Sequence, residues 1–250
     1  MASSSKQRQR ADRNNRIERK IAHQKQQRTR LLTVVGSALV LALVAVVILV
    51  AVNRDSHPGG DNALPTVVAG SVPAASIERN GLTIGSADAP VLITEYGDYQ
   101  CPFCGQFNST AFKTLISTYI ATGQVRLAFS PFSFLGNESN EATEAALCAA
   151  DQGKFWEMHE ALYANQSGEN KGAFSDSRLS EIATAAGLDM GAYTTCMANN
   201  SHANDVTTFN SGADTAGVRS TPSFAINGGP AFAYKSLDDL EGRIKTALGQ

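Results

Sequence analysis

The sequence predicts an α/β domain built around one sheet, with a helical block inserted into it and a single transmembrane helix before it. Three observations predict this class. From about residue 76 onward, short apolar segments rich in β-branched residues alternate with segments of helical periodicity. A mostly helical stretch, residues 140–217, separates the strands into two groups. Residues 31–52 form an uncharged apolar block of 22 residues, which is long enough to cross a bilayer.

The net charge of -2 conceals a division of the chain. Residues 1–30 carry ten Lys or Arg against two acidic residues, a net charge of +8, whereas the 198 residues after the apolar block carry -10. Because basic residues that flank a span stay in the cytoplasm, we expect a single-pass cell-membrane protein whose N-terminal arm is cytoplasmic and whose remaining chain, from Asn53, is extracytoplasmic. Such an asymmetry excludes an ordinary cytoplasmic globule.

Both N-terminal segments have an alternative interpretation. The apolar block could be a cleavable secretory signal, but the apolar region of such signals is shorter, about 7–15 residues, and residues 51–54 form a poor cleavage site. We therefore favour an uncleaved anchor. The basic arm could bind nucleic acid, but it has no aromatic residue and no recognisable reading motif. Attraction to anionic lipid headgroups explains it more simply, and we expect no nucleic-acid partner.

Composition divides the rest of the chain into a linker and one domain. Residues 53–75 are rich in Pro, Gly, Ala and Ser and offer little that could pack, so they predict a flexible linker. Residues 76–250 are long enough for one domain with its own hydrophobic core.

The first half of this domain predicts the order β-β-α-β. Residues 81–85 and 91–96 are apolar and β-branched enough to form strands. A helix is expected over residues 106–120, where apolar residues recur at helical spacing, and a third strand over residues 125–129.

After the helical block of residues 140–217, the chain predicts β-β-α. Strands are expected at residues 223–226 and 231–234, joined by a hairpin turn at Asn227-Gly228-Gly229. Ser236 then caps a terminal helix, residues 237–248, whose acidic residues lie in the first turn and whose basic residues come later, as the helix dipole favours.

A Cys-X-X-Cys motif stands between the second strand and the first helix. At a helix start, unpaired backbone N–H groups and the positive end of the dipole stabilise the thiolate of Cys101, and a thiolate is what attacks and leaves in disulfide exchange. Pro102 suits the first helical turn. The pair Cys101 and Cys104 therefore predicts a redox-active dithiol. Its alternatives are a plain structural disulfide or half of a zinc site, which would need about four ligands. The sequence holds no second such motif or close His pair, and we expect no metal.

Two further features bear on this dithiol. Glu95 lies in the apolar strand that leads to it, where burial would raise the pKa of the carboxyl and let it exchange a proton with Cys104. Alternatively, Glu95 faces water from an edge strand. Thr221-Pro222 immediately precedes a strand. The peptide bond between these two residues can be cis, or it can be trans within an ordinary turn. The sequence leaves both choices open.

These segments together resemble the DsbA-like thiol:disulfide oxidoreductases of the thioredoxin superfamily, particularly membrane-tethered forms of Gram-positive bacteria. The residues that carry the resemblance are Glu95, YGDYQCPFC at 96–104, GKFWEMHEALY at 153–163 and VRSTPSF at 218–224. The resemblance covers about residues 77–248. It implies a thioredoxin fold with a helical insertion, and it implies no cofactor.

The resemblance also implies roles for single residues. Cys101 would be the exposed nucleophilic cysteine and Cys104 the buried one, while Pro222 would be a cis-proline facing the dithiol. Thr221, Pro222 and Phe103 would adjoin the substrate. The chain departs from the best-known members at two of these positions, with Phe103 in place of a His that stabilises the thiolate and Thr221 in place of a Val. Both departures bear on how strongly oxidising the protein is.

Cys148 and Cys196 remain, and outside the cytoplasm they can form a disulfide. The motif favours pairing Cys101 with Cys104, which leaves these two in the helical block as a structural bridge. Two unpaired buried thiols are the alternative, and a relay from the first pair to the second is a further one.

The sequence therefore predicts an extracytoplasmic oxidoreductase that introduces disulfide bonds into reduced exported polypeptides. The resemblance implies that a quinone-linked membrane partner of the DsbB or VKOR type reoxidises it. Two other functions stay open: a disulfide reductase or isomerase using the same dithiol, and a non-catalytic thioredoxin-like module that binds extended peptides beside Pro222.

Overall fold

The computed structural model describes residues 66–250, and in this part of the chain six strands form one mixed sheet. The strands are β1 (Arg79–Asn80), β2 (Thr83–Ile84), β3 (Val91–Gly97), β4 (Val125–Pro131), β5 (Ser223–Ile226) and β6 (Phe232–Ala233). Their spatial order is β1-β2-β4-β3-β5-β6. Among these strands, only β3 and β4 pair in parallel, and every other pair of neighbouring strands is antiparallel.

The central strand β3 shows why these residues form a sheet. Its residues alternate between fully and partly buried positions, so Val91, Ile93 and Glu95 point to one face while Leu92 and Thr94 point to the other. Strand β4 alternates in the same way. Because β3 lies between β4 and β5, a side chain on its inner face is enclosed by neighbours on both sides.

Eight α-helices cover this sheet within residues 66–250. They are α1 (Pro102–Ser109), α2 (Ala111–Leu115), α3 (Asn137–Ala150), α4 (Phe155–Ala164), α5 (Asp176–Ala185), α6 (Met190–Ala198), α7 (Ala203–Thr215) and α8 (Leu237–Ala247). A π-helical turn, Ile116–Ile120, continues α2. Helices α3 to α7 lie between β4 and β5 in the chain and form the helical insertion that the sequence predicts.

The first helix differs from the prediction of one helix over residues 106–120. It begins earlier, at Pro102, because proline is accommodated at the first helical position. It also breaks at Thr110, whose hydroxyl donates to the carbonyl of Gln106 at 2.6 Å and so competes for a helical acceptor. Strand β1 was not predicted, since two residues are too few to show a pattern.

The hydrophobic core is continuous from the sheet into the insertion. Helix α4 contributes its centre, with Phe155, Trp156 and Met158 all buried. Trp156 stacks on Phe112, which ties the insertion to α2. A disulfide between Cys148 and Cys196 joins α3 to α6, with their Cα atoms 5.9 Å apart.

The end of the predicted linker packs against α4. We call residues 66–73 the N-terminal strap. Asn165 accepts a hydrogen bond from the backbone N–H of Val68 at 3.0 Å and donates one back to its carbonyl at 2.6 Å. A side chain at Gly70, which has a φ of 76°, would come within 2.5 Å of the backbone of Glu160. The expectation of a flexible linker is therefore wrong for the strap. Its contacts are made by backbone atoms, which composition does not reveal.

Within residues 66–250, no helix has the length and apolar character needed to cross a membrane. The predicted span, residues 31–52, and the basic arm before it lie outside the described residues.

Candidate active site

The Cys-X-X-Cys motif lies where β3 leads into α1. Cys101 occupies the N-cap of α1, with extended backbone angles, and Cys104 lies in the first turn of the helix. Both are free thiols in the structure. The exposed fraction is 5% for Cys101 and 0% for Cys104. The expectation of an exposed Cys101 is therefore wrong, and its sulfur is in contact with the backbone of Thr221. Cys101 is still the more accessible of the two sulfurs.

The two thiols differ strongly in acidity. The pKa of Cys101 is lowered to about 6, principally because the Cys104 thiol donates a hydrogen bond to its sulfur. Burial opposes this effect, while the side chain of Thr221 and backbone N–H groups at the start of α1 add to it. Burial raises the pKa of Cys104 well above its usual range. Near neutral pH, Cys101 is therefore a thiolate and Cys104 a thiol.

Thr221 and Pro222 face the dithiol from the start of β5. The peptide bond between them is cis. The Cys101 thiol donates a hydrogen bond to the carbonyl oxygen of Thr221 at 3.2 Å. Within the described residues, the Thr221 hydroxyl is buried and has no hydrogen-bond partner. This hydroxyl is consequently free to donate to a thiolate on Cys101.

Glu95 is buried beneath the dithiol on the inner face of β3, with 2% of its surface exposed. The alternative of an edge-strand carboxylate is wrong, since Glu95 pairs with Phe129 of β4 on one side and Phe224 of β5 on the other. Burial, and secondarily the charge of Glu160, raises the pKa of Glu95 to about 8. An ionised Glu95 in turn raises the pKa of Cys104. The carboxyl can therefore hold or release a proton near physiological pH.

A buried aromatic cluster lies near Glu95, since burial and, to a lesser extent, the charge of Glu95 raise the pKa of both Tyr99 and Tyr163. Tyr99, Tyr163 and His159 pack together with ring centroids 4.9–5.6 Å apart. Burial lowers the pKa of His159 to about 3, so its imidazole is neutral, and its Nδ1 lies 3.2 Å from the Tyr99 hydroxyl. These rings keep the surroundings of the carboxyl apolar, which is why burial dominates its pKa.

Asp98 is a buried carboxylate that the sequence analysis missed. One oxygen accepts from the backbone N–H of Gln100 at 2.8 Å and from the hydroxyl of Ser139 at 2.7 Å. The other accepts from the backbone N–H groups of Phe134 and Leu135 at 3.0 and 3.1 Å. Burial raises its pKa, and the four hydrogen bonds oppose that rise. Asp98 thus joins the segment before the dithiol to the start of the helical insertion.

Gln166 is a second missed residue, because the sequence places it in a polar loop. Its side-chain amide donates to the backbone carbonyls of Tyr99 and Cys101, the latter at 3.0 Å. The amide oxygen lies 2.2 Å from where a Cβ at Gly105 would be. Gln166 therefore holds the backbone carbonyls around Cys101, and its amide fills the space that a Cβ at position 105 would take. Gln166 comes eleven positions after the first buried residue of α4, and a polar residue in such a loop gives no signal of this role in the sequence.

Two aromatic side chains are exposed beside the motif segments. Phe103 of the Cys-X-X-Cys motif is 67% exposed and Phe134 is 47% exposed. Phe134 packs on Phe132, with ring centroids 4.9 Å apart. Phe103 was predicted as a substrate-binding residue, Phe134 was not.

Comparison with known proteins adds a family match. A family model described as Thioredoxin matches residues 78–246. The chain is 38% identical over 85 residues to disulfide bond formation protein D of Bacillus subtilis, covering 33% of this chain and 38% of that protein. It is 31% identical over 166 residues to Na(+)/H(+) antiporter NhaA 1 of Salinispora arenicola, covering 66% of this chain and 24% of the antiporter. The chain thus spans well under half of the length of these relatives.

Among solved structures, oxidised BdbD from Bacillus subtilis is similar with a TM-score of 0.62 and 23% identity. The match covers 74% of this chain and 100% of that one. At this identity the likeness shows a shared fold. It extends over the sheet, the helical insertion and the terminal helix, since these make up most of the described residues.

Proposed function

The chain belongs to the thioredoxin family, as its resemblance to DsbA-like oxidoreductases implied, and on this premise we propose that it introduces disulfide bonds into exported polypeptides through Cys101 and Cys104. The observation that carries the proposal is the difference between the two thiols. Cys101 has a pKa lowered to about 6 at a helix N-terminus, whereas Cys104 is fully buried with a raised pKa.

The same difference favours oxidation of substrates over their reduction. A stabilised thiolate on Cys101 stabilises the reduced enzyme relative to its disulfide, and a dithiol with a stabilised reduced form is a strong oxidant. It also makes Cys101 the better leaving group. The reductase or isomerase and the peptide-binding module therefore remain the less supported functions.

The first step consumes the Cys101–Cys104 disulfide of the oxidised enzyme. A substrate thiolate attacks the sulfur of Cys101, the bond between the two enzyme sulfurs breaks, and Cys104 leaves with the electron pair. Because Cys104 is unstable as a buried thiolate, it takes up a proton. Glu95, protonated below about pH 8, is the buried acid that would supply it, which the electrostatic effect of Glu95 on Cys104 supports.

The second step releases the product. A second substrate thiolate attacks the substrate sulfur of the mixed disulfide, and Cys101 leaves as a thiolate. The substrate has then lost two electrons to the enzyme and, on forming its thiolates, two protons to water. The enzyme holds Cys101 as a thiolate and Cys104 as a thiol, and Glu95 regains its proton from water. The Cys104 thiol and the Thr221 side chain stabilise the departing Cys101 thiolate.

Substrate contacts are proposed on the surface around this sulfur. An extended chain linked to Cys101 would pass the Thr221-Pro222 segment, where the Thr221 carbonyl already accepts a hydrogen bond from Cys101. The exposed ring of Phe103 would contact apolar side chains of an unfolded substrate. Such contacts suit a broad range of unfolded polypeptides, since they depend on backbone and apolar surface.

We also propose that the domain works outside the cytoplasm, anchored by residues 31–52, with a quinone-linked membrane protein of the DsbB or VKOR type as its reoxidant. The sequence supports this through the +8 arm that precedes the apolar block. Labelling of intact cells with a membrane-impermeant thiol reagent tests it. Modification of Cys101 in intact cells supports the topology, and modification only after lysis contradicts it.

Two measurements test the activity itself. Cys101→Ser should abolish oxidation of a reduced, unfolded substrate, while Ser109→Ala, an exposed change on the same helix, should not. The reduction potential of the dithiol should lie nearer about -120 mV, typical of a strong oxidant, than about -270 mV, typical of thioredoxin. Undiminished activity of Cys101→Ser would sink the proposal, and a thioredoxin-like potential would assign the protein to the reductases.

A further inference from the structure

Remote from the proposed active site, two sulfurs and an imidazole converge where three helices meet. The ligand atoms of Cys148, Cys196 and His202 all lie within 4.8 Å of one another. Cys148 is in the last turn of α3, Cys196 is in α6, and His202 is the N-cap of α7. In the structure the two cysteines form a disulfide.

Further donor atoms border this cluster. Asp151, the C-cap of α3, has one carboxylate oxygen 2.9 Å from His202 Nε2 and 3.9 Å from Cys196 Sγ. The thioether sulfur of Met197 lies 3.7 Å from Cys148 Sγ. Two thiolates, an imidazole and a carboxylate or water form a donor set that suits zinc.

A hydrogen bond to Asp205 already fixes the orientation of the His202 imidazole. Its Nδ1 lies 2.7 Å from a carboxylate oxygen of Asp205, which leaves Nε2 directed toward Asp151 and Cys196. In metal sites, a carboxylate that holds the other ring nitrogen fixes the tautomer and orientation of the ligating histidine. His202 and Asp205 have this arrangement without any metal.

From this arrangement we propose that, once the Cys148–Cys196 disulfide is reduced, Cys148, Cys196 and His202 bind one Zn²⁺, with Asp151 or water as the fourth ligand. Sulfur and nitrogen ligands of one tetrahedral zinc lie roughly 3.3–3.8 Å apart, given bond lengths of about 2.0–2.3 Å. Reduction lets the two bonded sulfurs separate to this spacing, while the imidazole nitrogen, which lies within 4.8 Å of both, needs to close by about 1 Å. The proposal is independent of the chemistry of Cys101 and Cys104.

The redox step balances with a dithiol as the reductant. The dithiol gives two electrons and two protons, the sulfur–sulfur bond of Cys148 and Cys196 breaks, and the dithiol becomes its own disulfide. Zn²⁺ then binds the two cysteines as thiolates and displaces their two protons to water. Cys148 is fully buried and Cys196 is partly exposed, so Cys196 is the sulfur that a reductant can reach.

The test uses the full chain in detergent with Cys101→Ser and Cys104→Ser, so that the other two thiols cannot bind metal. One sample is reduced with excess dithiothreitol, freed of reagent without oxygen and mixed with Zn²⁺, and the other stays oxidised. Zinc retained against a chelating dye is measured in both. We expect about one zinc per reduced chain and a negligible amount per oxidised chain. Equal retention by both samples overturns the proposal.

Variants assign the ligands. His202→Ala should weaken zinc binding by at least tenfold and Asp205→Asn by about tenfold, whereas Asp214→Asn, an exposed carboxylate change on the same helix, should not. Cobalt in place of zinc should give sulfur-to-metal charge-transfer absorption in the reduced chain alone. Unchanged binding by His202→Ala contradicts the site.

Folding of the reduced chain is followed by circular dichroism. If reduction unfolds the chain, zinc binding should restore its helicity, because a metal that binds only the folded state stabilises that state. A reduced chain that stays folded without taking up zinc, or that zinc fails to refold, refutes the proposal.

Discussion

The sulfur of Cys101 lies 3.2 Å from the main-chain carbonyl oxygen of Thr221, 120 positions further along the chain. The two residues belong to different parts of the sheet: Cys101 follows β3, and Thr221 precedes β5. The antiparallel pairing of these neighbouring strands brings them together. A residue that the helical insertion separates from the nucleophile in sequence therefore lies beside it, and the side chain of this residue helps to lower the pKa of Cys101.

Replacement of Thr221 by Val should raise the pKa of Cys101. The buried Thr221 hydroxyl helps to lower that pKa, and Val keeps its shape without the donor. A hydrogen bond to a charged group contributes about 1.5 kcal/mol or more, so we expect a rise of about one pKa unit. Thr221→Ser, which keeps the hydroxyl, is the matched control. Titration of thiolate absorbance in the reduced protein measures both, and an unchanged midpoint in Thr221→Val would exclude this role.

The acidity of Cys101 should also appear in the stability of the reduced protein. Its folded pKa of about 6 lies below the value of about 8.5 expected in an unfolded chain. The stabilisation is therefore complete above the unfolded pKa and is lost as pH falls through 6. Urea unfolding of the reduced wild type and of Cys101→Ser, measured from pH 5 to 8, should show the wild type gaining on the variant as pH rises. A difference that is independent of pH contradicts the lowered pKa.

Glu95 should have the opposite effect on stability. Because its folded pKa is raised to about 8 from 4.5, its contribution to stability is present at low pH and is lost as pH rises toward 8. Glu95→Gln removes this loss, so the variant should equal the wild type near pH 4 and exceed it by about 5 kcal/mol well above pH 8. Urea unfolding at the two pH values measures the difference.

The same variant separates stability from activity. If Glu95 supplies the proton to Cys104, Glu95→Gln should slow substrate oxidation by roughly 100-fold although the protein is more stable. The rate should also lose its dependence on pH near 8. A more stable variant with an unchanged rate would leave Glu95 as a buried carboxyl without a part in proton transfer.

Removal of the Asp98 side chain should destabilise the fold. Asp98→Ala leaves four hydrogen-bond donors without their acceptor, two of which hold the segment after β4. An unsatisfied buried donor costs about 1–3 kcal/mol, so we expect a loss of at least 3 kcal/mol in the free energy of unfolding. Asp88→Ala, an exposed change, should cost little. Equal unfolding free energies of the two variants would show that water replaces the carboxylate.

The sequence predicted those elements that a few consecutive residues are enough to identify. Strand β3 agrees with the predicted residues 91–96 to within one residue, because its apolar and β-branched residues favour a buried strand. The terminal helix α8 begins at the predicted residue, because the hydroxyl of Ser236 accepts from the backbone N–H of Asp239 as a cap should. The disulfide between Cys148 and Cys196 is present as expected.

Contacts between distant backbone atoms were beyond prediction. Asp98 resembles an ordinary polar residue after a strand, and only the fold shows that it accepts hydrogen bonds from the start of the insertion. Gln166 likewise acts on carbonyls 65 and 67 positions away. Cys101 contacts Thr221, whose position next to it requires the strand pairing. Such features follow from topology and not from local pattern.

The N-terminal strap determines where this domain can be cut. Composition suggests a boundary at Ser76, but a fragment that begins there would lose the hydrogen bonds between Val68 and Asn165. It would also lose the Ser71 carbonyl that accepts from Lys113, the ion-pair partner of the buried Glu160. A fragment intended for crystallisation or titration of the dithiol should therefore start at or before Thr66. Glu160, whose charge helps to raise the pKa of Glu95, then keeps its native surroundings.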